Sequence, residues 1–128
     1  MRKVINSEKA PAAVGPFSQA IETNDLVFIS GQLPIDKIDG QMKVGIEQQT
    51  IMCFKNLEFI CEEAGVKLTN AVKVTVLLHD IADFTQVNEI YATYFEKPFP
   101  ARVAYQVANL PLGALIEIDA IIAKESEC

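Results

Sequence analysis

The sequence is short of most residues that build catalytic machinery. It carries one histidine, His79, in 128 residues. A single imidazole cannot assemble a multi-histidine metal centre, and neither HExxH nor a cluster of carboxylates takes its place. No metal or organic cofactor is therefore expected. Cysteine is scarce as well: Cys53, Cys61 and Cys128 are odd in number and lack CxxC spacing. That pattern gives neither a disulfide framework nor a zinc site. Six glycines include no phosphate-binding loop, since GPFSQ and SGQLP match neither the P-loop nor the dinucleotide fingerprint. Ser30 has no histidine pattern near it, so a serine triad lacks support.

Positive charge is also sparse. Eleven Lys and Arg stand against seventeen Asp and Glu, for a net charge of -6, and no basic run exceeds Arg2-Lys3. An acidic chain without a basic patch repels phosphate backbones, which makes nucleic acid a poor principal partner. No run approaches the ~20 apolar residues of a membrane span. The opening MRKVINSEKAPAAVG lacks the apolar core of a signal peptide. These absences predict a cytoplasmic protein with no membrane partner.

Apolar side chains, by contrast, are plentiful, at 50% of residues with a mean hydropathy of +0.20. The length predicts one domain, residues 1–128, with room for a real core. A small domain buries a limited share of its own surface, so further subunits are expected to cover part of this one.

Patterning along the chain gives the order β-β-β-α-β-α-β-β. A short strand is expected at Lys3–Asn6, then a Pro- and Gly-punctuated loop. A hairpin follows, Ser18–Glu22 and Leu26–Ser30 around Thr23-Asn24-Asp25. Ile46, Cys53, Leu57, Ile60 and Ala64 recur at helical spacing, with Gly65 placed to end the helix. Residues 70–79 read as a strand covered on both faces. Asp83, with Gln86 three residues on, reads as the capping box of a second helix whose periodic face is Phe84, Val87, Tyr91 and Tyr94. Two strands close the chain, about Arg102–Val107 and Leu115–Ala123. The expected architecture is α+β: one mixed sheet with two helices on one face.

The last two strands hold the chemistry. Arg102, Ala104 and Gln106 share one face of the first; Glu117 and Asp119 share one face of the second. If the two strands pair antiparallel, Arg102 and Glu117 line one pocket. Two readings of Arg102 stay open at this point. It either forms an Arg–carboxylate pair at a subunit interface, or its guanidinium fork holds a small carboxylate ligand while Glu117 orients water.

Four stretches bear on the choice: GPFSQA (15–20), ISGQLP (29–34), VTVLLHDIADFTQVNEIYATYF (74–95) and FPARVAYQVANLPLGALIEIDAIIA (99–123). In order and spacing they resemble the RidA family, also called YjgF/YER057c/UK114, over essentially the whole chain. The resemblance implies a chorismate-mutase-like fold and a homotrimer whose sheets form a central barrel, with clefts between subunits. It implies hydrolysis of reactive enamine and imine intermediates, such as 2-iminobutanoate and 2-iminopropanoate, to 2-oxo acids and ammonia without a cofactor. Carried over by motif, Arg102 grips the substrate carboxylate and Glu117 holds the attacking water. Ser30 and Gly31 approach the ligand by hydroxyl and backbone, and Asn88 lies in the cleft. Two positions depart from the commoner pattern. Phe17 replaces the tyrosine of GPYSQ, which removes a hydroxyl, and Ala104 replaces a frequent cysteine. Imine hydrolysis needs no thiol nucleophile, so the second departure removes no obvious step. Within the family's range, a non-catalytic carboxylate-binding module and an endoribonuclease or translation inhibitor stand as alternatives.

Overall fold

Burial along residues 116–123 shows how the sheet is built. Ile116, Ile118, Ala120 and Ile122 are buried, while Glu117, Asp119 and Ile121 between them are half-exposed. A strict period of two means one covered face and one open face. The computed structural model describes residues 1–125, so Cys128 lies outside the described residues.

The strands are β1 (Lys3–Ile5), β2 (Ala20–Thr23), β3 (Leu26–Gln32), β4 (Ile35–Asp36), β5 (Gln41–Met42), β6 (Ala71–Leu78), β7 (Ala101–Gln106) and β8 (Ile116–Ala123). The helices are α1 (Ile46–Ala64), between β5 and β6, and α2 (Phe84–Tyr94), between β6 and β7. Six strands form one sheet in the order β1-β2-β3-β8-β6-β7, and β4 and β5 make a separate small hairpin. Every pairing in the large sheet is antiparallel except β6 with β7, which is parallel. The fold is α+β, a mixed sheet with two helices, as expected.

Both helices supply the core on the covered face. Cys53, Phe54, Leu57, Ile60 and Cys61 of α1 and Val87 and Tyr91 of α2 pack against Val74, Val76, Leu78, Ile116, Ile118 and Ile122. Each large side chain fully buried there contributes about 1.5–3 kcal/mol. Phe54 stacks on Tyr94, with ring centroids 4.4 Å apart, and this joins the two helices. Gly65 ends α1 in the left-handed region (φ 75°), and Val66 N–H donates to the Cys61 carbonyl. That closure is easiest for a glycine.

Two expectations need correction, and one hairpin is added. The last two strands do not pair with each other, because β6 lies between β7 and β8. The physical reason is the connection: α2 carries the chain from β6 back to the same end of the sheet, and such a crossover returns parallel. The second helix is not closed by an Asp83 capping box. Asp80 instead accepts from Ala82 N–H at the start of a short 3₁₀ turn, Ile81–Asp83, that leads into α2. The hairpin β4–β5 was not anticipated, since two-residue strands carry no readable alternation.

Candidate functional site

The register fixes where the two charged residues stand. Arg102 lies opposite Val74, which lies opposite Ala120; Glu117 lies opposite Leu77, which lies opposite Tyr105. Val74 faces the helices, and so does Arg102. Glu117 faces the open side. Two strand spacings and three residues separate them, roughly 14 Å along the sheet. The expectation that they line one pocket is therefore wrong within a chain, because it assumed that β7 and β8 are neighbours.

The Arg102 side is built by α2 crossing over β7. The guanidinium carbon lies 4.9 Å from the Phe84 ring centre and 4.8 Å from that of Tyr91. Nη1 donates to Asn88 Oδ1 at 2.6 Å. Phe84, Asn88 and Tyr91 fall at four- and three-residue steps, so one helix face presents all three. Two aromatic faces and one amide hold the cation in place. No ion pair among the described residues involves Arg102. A cavity of about 460 Å³ opens beside it, bounded also by Asn88, Tyr91, Ala92, Phe99 and Pro100. Ala104, two residues on, shares Arg102's face and packs against the core.

The Glu117 side is built by an irregularity in β3. Its pairing with β8 slips between Ile29 and Gln32, which leaves Ser30 and Gly31 out of register. The Glu117 carboxylate lies against Gly31. A β-carbon there would stand 2.9 Å from the carboxyl carbon and closer still to one oxygen, so only glycine leaves the carboxylate in this position. Burial pushes the Glu117 carboxyl above its ordinary range, and the neighbouring Asp119 charge adds to the effect. The thiol of Cys53 beneath it donates to the Gln32 carbonyl at 3.2 Å, and burial pushes that thiol well up, which suits an inert packing role.

A cavity of about 590 Å³ opens above Glu117, and Phe17, Ser30 and Gly31 line it. Ser30 Oγ donates to the Ser18 carbonyl at 2.6 Å, so its proton is already committed. The N-terminal loop is folded over this cavity by Gln19, which is buried. Its side chain accepts from Ser7 N–H and donates to the Ser7 and Pro11 carbonyls.

The seven residues singled out in the sequence thus fall into two groups. Asn88, Arg102 and Ala104 lie on the covered side; Phe17, Ser30, Gly31 and Glu117 lie around the other cavity. Phe84, Tyr91 and Gln19 were not singled out. The first two were legible only as a periodic core face, and nothing in the sequence marks Gln19 as the tie for the loop. His79 is exposed just after β6 and lines neither cavity. Among the described residues no three His, Cys, Asp or Glu side chains stand together as a metal site, and no helix is long and apolar enough to cross a membrane.

A family model described as Endoribonuclease L-PSP matches residues 7–124. The mouse protein named 2-iminobutanoate/2-iminopropanoate deaminase is 50% identical over 122 residues, covering 94% of this chain and 90% of its own. A RutC family protein of Sinorhizobium fredii is 47% identical, covering 96% of this chain and 98% of its own. The crystal structure of RidA from an Antarctic Psychrobacter superposes with a TM-score of 0.91 at 42% identity, over 94% of this chain and 98% of that one. With a family model matched over residues 7–124 and relatives 42–50% identical over at least 90% of both chains, the chain belongs to the RidA (YjgF) family.

Proposed function

We propose that this chain hydrolyses reactive 2-imino acids to 2-oxo acids and ammonia, in clefts formed where one copy's Arg102 side meets another copy's Glu117 side. One observation carries the reading: a guanidinium fixed by Asn88, Phe84 and Tyr91 at a cavity wall, with no carboxylate partner among the described residues. Planar donors held this way suit a bidentate carboxylate ligand. The name of the mouse relative supplies the reaction class.

The chemistry asks little beyond these groups. An imine carbon is already electrophilic. Arg102 holds the carboxylate and offsets its charge. Glu117, ionised, takes a proton from water as the oxygen bonds to the carbon of the protonated imine, giving a neutral carbinolamine. Glu117 returns that proton to the nitrogen and then takes the hydroxyl proton as the C=O forms and ammonia leaves. Positioning of this kind supplies several kcal/mol without an activated nucleophile.

A homotrimer gives the two halves a way to meet. The open face carries Val4, Phe28, Val103 and Tyr105, all at least 39% exposed, and Ile121 and Leu77 lie among them. An apolar sheet face of this extent favours a covering subunit. No cofactor enters the scheme. The RNA-cleavage reading draws support from the description of the matched family model, but a charge of -6 and a sole histidine that lines neither cavity oppose it.

The test is release of 2-oxo acid and ammonia from freshly generated imines, measured above the spontaneous rate. Enhancement that Arg102→Ala abolishes, with the oligomer intact by sedimentation, is the expected result. If Arg102→Ala dissociates the oligomer yet the remaining assembled fraction turns over normally, Arg102 is an interface strut and the reading fails.

A further inference from the structure

The cavity over Glu117 has a rim that neither the turn nor the core asks for. Leu112 lies in the short turn Pro111–Gly113 with φ 59° and ψ 20°, in the left-handed region. That conformation is uncommon for any residue but glycine and a few polar ones. Its side chain is 78% exposed and belongs neither to the buried core nor to the residues packed against it. Asparagine or glycine would make the same turn with less strain and less apolar surface in water.

Two more exposed apolar side chains, Val14 and Phe17, line the same cavity from the N-terminal loop, while Leu33 and Ile35 line it from below. The polar side chains of the lining are largely committed elsewhere. Gln19 is held by backbone groups of the N-terminal loop, Ser30 donates to Ser18, and Gln32 donates to the Ser30 carbonyl. Glu117 is the one charged residue of the lining. This chain's part of the wall is therefore largely apolar around the carboxylate, and it contributes no cation.

We infer that Leu112 is a specificity-determining residue, forming with Val14 and Phe17 a seat for the aliphatic side chain of a 2-imino acid about the size of leucine. The inference rests on the reading of this cleft as an imine-hydrolysing site. A methyl side chain leaves the rim wet. A branched aliphatic one covers it and removes apolar surface of both partners from water. An acidic side chain meets Glu117, while the cation a neighbouring copy brings to the cleft, Arg102, is engaged by the substrate's own carboxylate.

The test generates imines in place from leucine, alanine and glutamate with amino acid oxidases, and follows 2-oxo acid formation by wild type and Leu112→Asn. Asparagine tolerates the left-handed region, so the turn is kept while the apolar rim is lost. Wild-type kcat/KM is expected to favour the leucine-derived imine over the alanine-derived one by about tenfold, as even single methylenes discriminate in apolar pockets. Leu112→Asn should reduce that ratio about five- to tenfold, and Leu112→Met should restore most of it. A uniform loss across all three imines, or dissociation of the oligomer, would show a structural or interface role and overturn the inference. If the wild type hydrolyses no imine, the functional reading fails, and calorimetry decides the rim by itself. Tighter binding of 4-methyl-2-oxopentanoate than of pyruvate, lost in Leu112→Asn, upholds it; equal binding overturns it.

Discussion

The Arg102 side and the Glu117 side solve opposite problems by opposite means. The cation is held by side chains: two rings and an amide from a single helix face clasp it against an edge strand. The acid is held by backbone: a slipped register in β3 and a glycine without a β-carbon make the space its carboxylate occupies. A clasped guanidinium is suited to gripping a charge that does not change during the reaction. A carboxylate raised by burial beside a cavity is suited to exchanging a proton. Since one chain places them on opposite faces of the sheet, the comparison sharpens into a question about assembly.

The largest effect expected follows from that question. Arg102→Ala and Glu117→Gln should each lower kcat/KM by about a hundredfold, which corresponds to roughly 3 kcal/mol. Glu117→Gln should keep 2-oxo acid binding that Arg102→Ala loses. Unfolding the two variants together and refolding them should then recover activity. Random mixing puts both variants in about three-quarters of trimers, each with one of three clefts intact, so about a quarter of wild-type activity returns. Co-refolded mixtures no more active than either parent would mean that the two residues do not meet across copies.

Much of this division was legible before the structure. The alternation of 116–123 gives Glu117 its open face, and the α1 periodicity gives the core. What sequence reading lacked was the strand neighbour. Consecutive strands usually pair, and that tendency favoured β7 with β8. Yet the pattern strand–helix–strand over residues 71–106 already contained the opposing signal, since a helical crossover returns parallel. Reading that unit as a unit would have paired β7 with β6, while the placement of β8 on the other edge of β6 carries no mark in that pattern. The register slip at Ser30-Gly31 left no mark of its own beyond a glycine inside a strand.

Gly31→Ala tests the backbone side. Gly31 does not need a left-handed conformation, so alanine strains no turn, but its β-carbon displaces the Glu117 carboxylate. A misplacement of about 1 Å can cost up to about a hundredfold in rate. Turnover should therefore fall ten- to a hundredfold with little change in the thermal midpoint. Unchanged turnover would show that the position of this carboxylate does not matter.

Asn88→Ala tests the clasp with a smaller effect. The two rings still hold the guanidinium when the amide is gone, so only its orientation loosens. KM should rise about three- to tenfold with kcat nearly constant, the mark of lost ground-state binding. Equal loss in kcat would instead give Asn88 a part in the chemical step.

The smallest effect is also the most direct reading of contact between the two halves. Within one chain, burial and then Asp119 raise the Glu117 carboxyl. A guanidinium brought by a neighbouring copy acts in the opposite direction. In the proposed mechanism Glu117 acts as a base, so turnover is expected to fall as pH drops through its pKa. In Arg102→Ala the opposing cation is gone, and the acid limb of the residual turnover should move to higher pH. The stability sign follows from the same shift. A glutamate whose folded pKa is raised favours folding in its protonated form, and that contribution is lost as pH rises through the folded value. In the Arg102→Ala background, Glu117→Gln should therefore raise the thermal midpoint at neutral pH, with the gain vanishing once pH falls below the ordinary glutamate range. An acid limb at the same pH with and without Arg102 would mean that the cation and the acid never share a cleft.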